Sequence, residues 1–260
     1  MRFLLILFSL IIICMFSISN VFAIEPIMIT ISADRENTVF DGKWTFYKEW
    51  KNTSLDTMNF VDGNAFVLRT AHQGNFVYVM IDATTFTKVN VHTDKATICF
   101  DSNSTKNTHP DAGDYCIVAT VGENQPVLLQ GGSELSFTNH YKKISNPPEL
   151  MGVGGVSDMD DRYTGTPHES YEFKIPTDLI GRSDKYGFYI EVLNSNKLYT
   201  WPTQNSTSLV ISKISSPDKW GKIVSPDKSL PEFPVPIITL VIGFSLFIYM
   251  TRAKFIQFRR

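Results

Sequence analysis

Asp101, Ser102, Asn103, Asp111 and Asp114 crowd the segment between Cys99 and Cys116. Hard oxygen donors gathered at a strand end are what calcium takes, and Asp101, Asp111 and Asp114 are the expected ligands. The spacing is not that of an EF-hand, and the same residue types also build turns. Asp158, Asp160 and Asp161 form a second oxygen-rich stretch with the same two readings. The histidines (His72, His92, His109, His140, His168) stand singly, without metal-ligand spacing, and are expected at surfaces and turns.

Motifs for catalysis do not emerge. The chain has no Gly-x-Ser-x-Gly elbow, no His-Glu-x-x-His and no phosphate loop ending in Gly-Lys-Ser/Thr. Gly152-Val153-Gly154-Gly155 lacks the strand–turn–helix context of a nucleotide site and reads as a flexible loop. The expectation is a protein that is not an enzyme. Aromatic residues suit a different chemistry, since flat ring faces stack on the apolar faces of sugars while polar neighbours take the hydroxyls. Trp44, in a turn after Gly42-Lys43, and Trp201 are the expected carbohydrate-binding residues, although Trp50 and Trp201 border strands, where a tryptophan is more often core. Trp220 is expected to pack on the base of the domain.

The elements that must position these residues are strands. Runs 65–71 and 76–83 are apolar, β-branched or aromatic, and Gln73-Gly74-Asn75 between them marks a hairpin. The second run is apolar at almost every position, as for a central strand covered on both faces. Residues 171–175 alternate, with one face wet, and stop at Pro176. Residues 186–193, 197–201 and 208–214 read as further strands, and 45–51 as a short helical turn. The stretch 139–167, rich in Pro, Gly, Asn and Asp, shows no obvious strand. Short strands separated by turn residues predict an all-β, two-sheet antiparallel β-sandwich.

Cys14 falls in the N-terminal apolar run, leaving Cys99 and Cys116 as a disulfide in an oxidising compartment. If Cys99 sits opposite Cys116 in an antiparallel pair, Phe100 meets Tyr115 and Ile98 meets Ile117. The period of two then puts the bulky residues on one face and both sulfurs on the other.

Both ends carry targeting signals. Residues 1–23 read as a signal peptide, with an apolar run from Phe3 to Phe16 and cleavage after Val21-Phe22-Ala23. Residues 24–214 are the expected extracellular domain and 215–234 a Pro/Ser/Lys stalk. Residues 235–251 are apolar enough for a short transmembrane helix, and 252–260 a basic cytoplasmic tail by the positive-inside rule. The expected placement is the cell surface, single-pass, N-terminus outside. The whole chain has 24 basic and 26 acidic residues. Without Arg2 and the tail cations Arg252, Lys254, Arg259 and Arg260, 19 basic residues face 26 acidic ones. That acidic balance argues against nucleic acid as a partner. Asn52, Asn103 and Asn205 head glycosylation sequons.

Two resemblances follow from these residues. Asp41-Gly42-Lys43-Trp44 through Glu49-Trp50, the 71–79 strand, Asp94 to Asp101 and Tyr171-Glu172-Phe173-Lys174-Ile175-Pro176 together resemble the family-nine carbohydrate-binding modules and their DOMON-like relatives. The resemblance spans about 39–210 and implies a two-sheet β-sandwich in which calcium and sugar sites are common. Pro231-Glu232-Phe233, followed by an apolar segment and a basic tail, resembles the sorting signal of archaeal exported proteins (PEF-CTERM-like). That resemblance implies a membrane transpeptidase that exchanges the helix for a lipid anchor. Three functions stay open: a glycan-binding surface module, a structural envelope component, and a haem-binding redox domain using Met80 or Met151 with a histidine.

Overall fold

The computed structural model describes residues 25–31, 35–46, 48–134, 139–203, 205–208 and 214–225. The expected signal peptide, the sorting tripeptide Pro231-Glu232-Phe233, the 235–251 span and the basic tail lie outside them. Among the described residues, no helix is long and apolar enough to cross a membrane.

The strands run in chain order as β1 (Ile27–Met28), β2 (Thr30–Ile31), β3 (Ser54–Asn59), β4 (Ala65–Gln73), β5 (Phe76–Ala83), β6 (Lys95–Asp101), β7 (Asp114–Thr120) and β8 (Val127–Gln130). They continue as β9 (Lys142–Ile144), β10 (Met151–Ser157), β11 (His168–Pro176), β12 (Lys185–Asn194), β13 (Lys197–Trp201), β14 (Asn205–Ser208) and β15 (Gly221–Val224). One helical turn, α1 (Thr177–Ile180), follows β11. The first sheet is ordered β1-β15-β12-β6-β7-β8-β9, with β13 and β14 continuing from the upper part of β12. The second is ordered β10-β11-β5-β4-β2, with β3 also on β4. Among the described strands, pairing with one another is antiparallel except for the short β1/β15 and β2/β4 contacts, which are parallel, and Val121 adds a single parallel bridge to Gly154 of β10.

Local chemistry explains the hairpins. Gly74, at φ 58°, is the first of two turn residues between β4 and β5, where a primed turn wants glycine. Ser195 and Asn196 both take positive φ, 47° and 65°, which joins β12 to β13 by a tight hairpin. The expected central strand is β5, buried at every position from Val77 to Ala83 between β11 and β4.

The two sheets close on one apolar core. Leu68, Val79, Ile81, Tyr171 and Phe173 from the second sheet meet Ile98, Phe100, Ile117, Phe188 and Ile190 from the first. On the outer face of the first sheet Cys99 and Cys116 are directly opposite, joined by a disulfide with a Cα–Cα separation of 4.1 Å. Phe100 faces Tyr115 and Ile98 faces Ile117, the register expected from the sequence. Trp220 covers the sulfurs' face, stacked on Tyr189 with ring centroids 6.0 Å apart.

Three expectations change. The domain does not end at 214: Pro217–Lys219 forms a 3-10 turn, Trp220 is buried and β15 pairs with β1 and β12. The 139–167 stretch holds β9 and β10, and the glycine run 152–155 is strand rather than flexible loop. Neighbouring backbone presses into that strand. A Cβ on Gly155 would stand 2.7 Å from the Gly42 carbonyl oxygen, and one on Gly154 2.8 Å from Thr120 backbone. Glycine inside a strand is the residue for such an approach. Finally, the outer face of β11 is mostly covered: Lys174 stays half-exposed, but Ser170 and Glu172 are buried, with the Asp41 and Gly42 backbone lying on Glu172.

Candidate functional site

The outer face of the second sheet carries the chemistry. By the period of two, Phe76, Tyr78, Met80 and Asp82 of β5 stand beside Pro176, Lys174, Glu172 and Ser170 of β11 in successive register pairs. His168 ends that row and pairs with Ser157 of β10. The segment 35–50 crosses the middle of this face. Its anchor is Glu172, whose Oε2 accepts the Asp41 and Gly42 backbone N–H groups at 3.0 and 2.9 Å. Glu172 Oε1 accepts the Trp50 indole N–H at 2.7 Å. Burial pushes the Glu172 carboxyl well above the usual carboxylate range, against the pull of these donors. Glu49, also buried, accepts the Val39, Thr45 and Phe46 N–H groups and closes the turn of the same segment.

Beyond this cover, toward the β4–β5 turn, the face opens into a groove of about 620 Å³. Phe40, Phe76, Tyr78 and Met151 supply its apolar surface; Arg35, Thr38, Gln73, Asn75 and Lys174 supply polar groups. The rings are ordered against one another: Phe40 stacks on Tyr78 at 6.3 Å, and Phe76 meets Tyr78 at 6.2 Å and 60°. Lys174 Nζ lies 3.9 Å from the Phe76 ring centroid, a cation–π contact. The Gln73 side-chain carbonyl accepts the Arg35 backbone N–H at 2.7 Å, and the Asn75 side-chain oxygen accepts from Arg182 at 2.6 Å. Amide side chains are therefore held in place beside half-buried rings. Such an arrangement gives a ligand apolar surface to lie on and fixed donors and acceptors to its side. No histidine is among the groove's lining residues, although Met151 is.

Trp44 and Trp201, the expected sugar-stacking rings, each retain 4% exposure and offer no open face. Trp44 is enclosed by Tyr163 edge-on at 5.9 Å and by the guanidiniums of Arg69 and Arg162 at 5.3 and 5.9 Å. Trp201 lies in the core beside Phe188, with its ring against Gly221.

Asp101, Asp111 and Asp114 sit together at the β6–β7 end, but their oxygens serve the loop. Asp101 accepts the Thr105 and Lys106 N–H groups. Asp111 takes Gly113 N–H, the Asn107 amide and the Thr105 hydroxyl. Asp114 Oδ2 accepts the Asp111 N–H at 2.7 Å, while its Oδ1 is buried without a hydrogen-bond partner. Burial, with the neighbouring Asp101 and Asp111 charges, pushes the Asp114 carboxyl up to about 7. Among the described residues, three ligating side chains converge elsewhere, at Asp82, Asp161 and His168. Asn52 and Asn103 are exposed in turns, and Asn205 opens β14.

Sequence reasoning missed the groove rings Phe40 and Phe76, the anchor Glu172 and the buried His168. Alternation along β5 and β11 was the available signal; what covers each outward residue comes from distant segments.

No known protein family matches the chain, and no curated protein matches it. Among solved structures, a family 9 carbohydrate binding module (CBM9) from Caldicellulosiruptor kristjanssonii in complex with cellotriose is similar at a TM-score of 0.44 and 11% identity, over 77% of this chain and 93% of that one. A CBM9 structure from the same organism in complex with glucose is similar at a TM-score of 0.45 and 11% identity, over 77% and 95%. Likenesses this loose bear no functional weight.

Proposed function

We propose that this protein is a non-catalytic binding module whose groove on the second sheet takes a saccharide. The observation that carries the reading is the combination of half-buried Phe76 and Phe40 with the held amides of Gln73 and Asn75 around one open groove. Ring faces favour the C–H surface of a sugar, and the amides and cations answer its hydroxyls or carboxylates. The open form suits part of a longer chain rather than a sealed small molecule. Export through the leader and retention by the C-terminal apolar segment, or by a lipid exchanged for it by a sorting transpeptidase, belong to the same proposal. They would place the groove outside the cell, where glycans are abundant.

A glycan array probed with the purified chain tests this reading. Binding to neutral or acidic oligosaccharides that Phe76→Ala abolishes supports it. Silence across both classes, or binding that Phe76→Ala leaves intact, contradicts it.

A further inference from the structure

At the opposite end of the same sheet face, Asp82 of β5, His168 of β11 and Asp161 of the β10–β11 loop turn their side chains toward one point. All three side chains are fully buried. His168 Nε2 lies 2.5 Å from Asp82 Oδ1 and 4.0 Å from Asp161 Oδ1. One ligand atom from each residue can be chosen so that all lie within 4.8 Å of one another.

The surroundings orient each group. His168 Nδ1 lies 2.7 Å from the Thr166 carbonyl oxygen, so that nitrogen carries the proton and donates. Nε2 is then the nitrogen aimed at the two carboxylates, the outer-shell arrangement that prepares an imidazole for a metal. Asp161 is held from behind: the Ser157 hydroxyl donates to Oδ2 at 2.8 Å, and the Tyr163 and Thr164 N–H groups donate to Oδ1 at 2.8 and 3.2 Å. Asp82 Oδ2 is buried and has no hydrogen-bond partner.

Charge makes the same point. Two buried carboxylates and one imidazole carry net negative charge when both acids are ionised, even with the imidazole protonated. Buried charge without compensation is costly. A divalent cation bound to two carboxylates and a neutral imidazole leaves the cluster neutral and engages the orphaned Asp82 oxygen.

We propose that Asp82, Asp161 and His168 form a binding site for a divalent transition metal of the zinc class. An imidazole nitrogen in the donor set selects such an ion over calcium, which prefers oxygen alone. The site ties the β10–β11 loop to the sheet. It sits away from the saccharide groove and does not depend on it.

The test uses the purified full chain, stripped with a chelator and titrated with zinc by calorimetry, with thermal unfolding in parallel. The expected result is one equivalent bound, a raised unfolding temperature, and visible absorption bands when cobalt replaces zinc. Asp161→Asn should weaken zinc by about 100-fold or more, since losing even an outer-shell partner costs about 10- to 100-fold. His168→Gln should do the same if it folds. Phe76→Ala should leave zinc binding unchanged, so failure here and failure of the groove are distinguishable. No bound zinc, cobalt or manganese overturns the proposal. So does zinc binding that Asp161→Asn does not weaken, or a preference for calcium over zinc.

Discussion

Glu172 and Trp50 meet beneath the segment that covers the second sheet, with the carboxyl Oε1 accepting the indole N–H at 2.7 Å. Both residues are fully buried, and the other Glu172 oxygen pins Asp41 and Gly42 from 130 or more positions away. This one side chain holds the cover at Asp41, Gly42 and Trp50, next to Phe40, which lines the groove.

Replacing Glu172 with Ala takes the acceptor from three N–H donors, of which those of Gly42 and Trp50 are buried. The expected loss is about 2 kcal/mol or more of unfolding free energy, at about 1–3 kcal/mol for each of the two buried groups. Amide hydrogen exchange at Gly42 should accelerate more than at core β5 amides. Equal protection at Gly42 in the variant would show that the cover is held by something else.

Gly42 combines positive φ, 81°, with backbone contact: an added Cβ would stand 2.3 Å from Gly155 N. Gly42→Ala should therefore destabilise by more than the roughly 1 kcal/mol of the φ penalty alone. Gly74→Ala is the control, because its Cβ meets nothing within 4 Å and only the φ cost applies. Urea midpoints for the two variants, read together, separate strain from collision.

Stability should fall as pH rises. Burial, with a hydrogen bond to Asp94, pushes the Glu169 carboxyl up to about 9, and burial pushes Asp114 up to about 7 and Glu172 up as well. Each group holds its proton more tightly in the folded state than in the unfolded chain, where carboxyls titrate near about 4. The folded state therefore binds more protons between those values, and the slope of stability against pH is negative there. Urea midpoints should be highest near about pH 4 and decline toward about pH 9. A flat or rising profile across that range would show that these carboxyls are already ionised in the folded chain.

Reducing the Cys99–Cys116 bridge, or replacing both cysteines with alanine, should cost about 3 kcal/mol on the chain-entropy account of a loop this long. The strands should survive, since Ile98 and Phe100 of β6 and Ile117 of β7 hold both strands against the core from the other face. Circular dichroism before and after reduction checks both parts.

What could be read from the sequence was what neighbouring residues decide. The β4–β5 hairpin follows from Gly74-Asn75, and the Cys99/Cys116 register from alternation in two strands joined by one loop. What could not be read depends on distant partners. His168 looked like a lone turn histidine because Asp82 is 86 positions away. Trp44 invited an exposed reading because the Arg69 and Tyr163 that enclose it come from β4 and the β10–β11 loop. The glycine run 152–155 resembled a loop until Gly42 and Thr120 backbone were brought against it. Of the second acidic stretch, Asp161 alone reached the buried cluster, while Asp158 pairs with Lys43 at the surface.

The most direct measurement of the central claim is a calorimetric titration of the best array oligosaccharide into the full chain, its Phe76→Ala variant and its Asp161→Asn variant. Saturable binding is expected for the unmodified chain, at least ~5-fold weaker binding without the Phe76 ring, whose stacking is worth about 1 kcal/mol or more, and no change with Asp161→Asn. Equal affinity in all three proteins would contradict that claim.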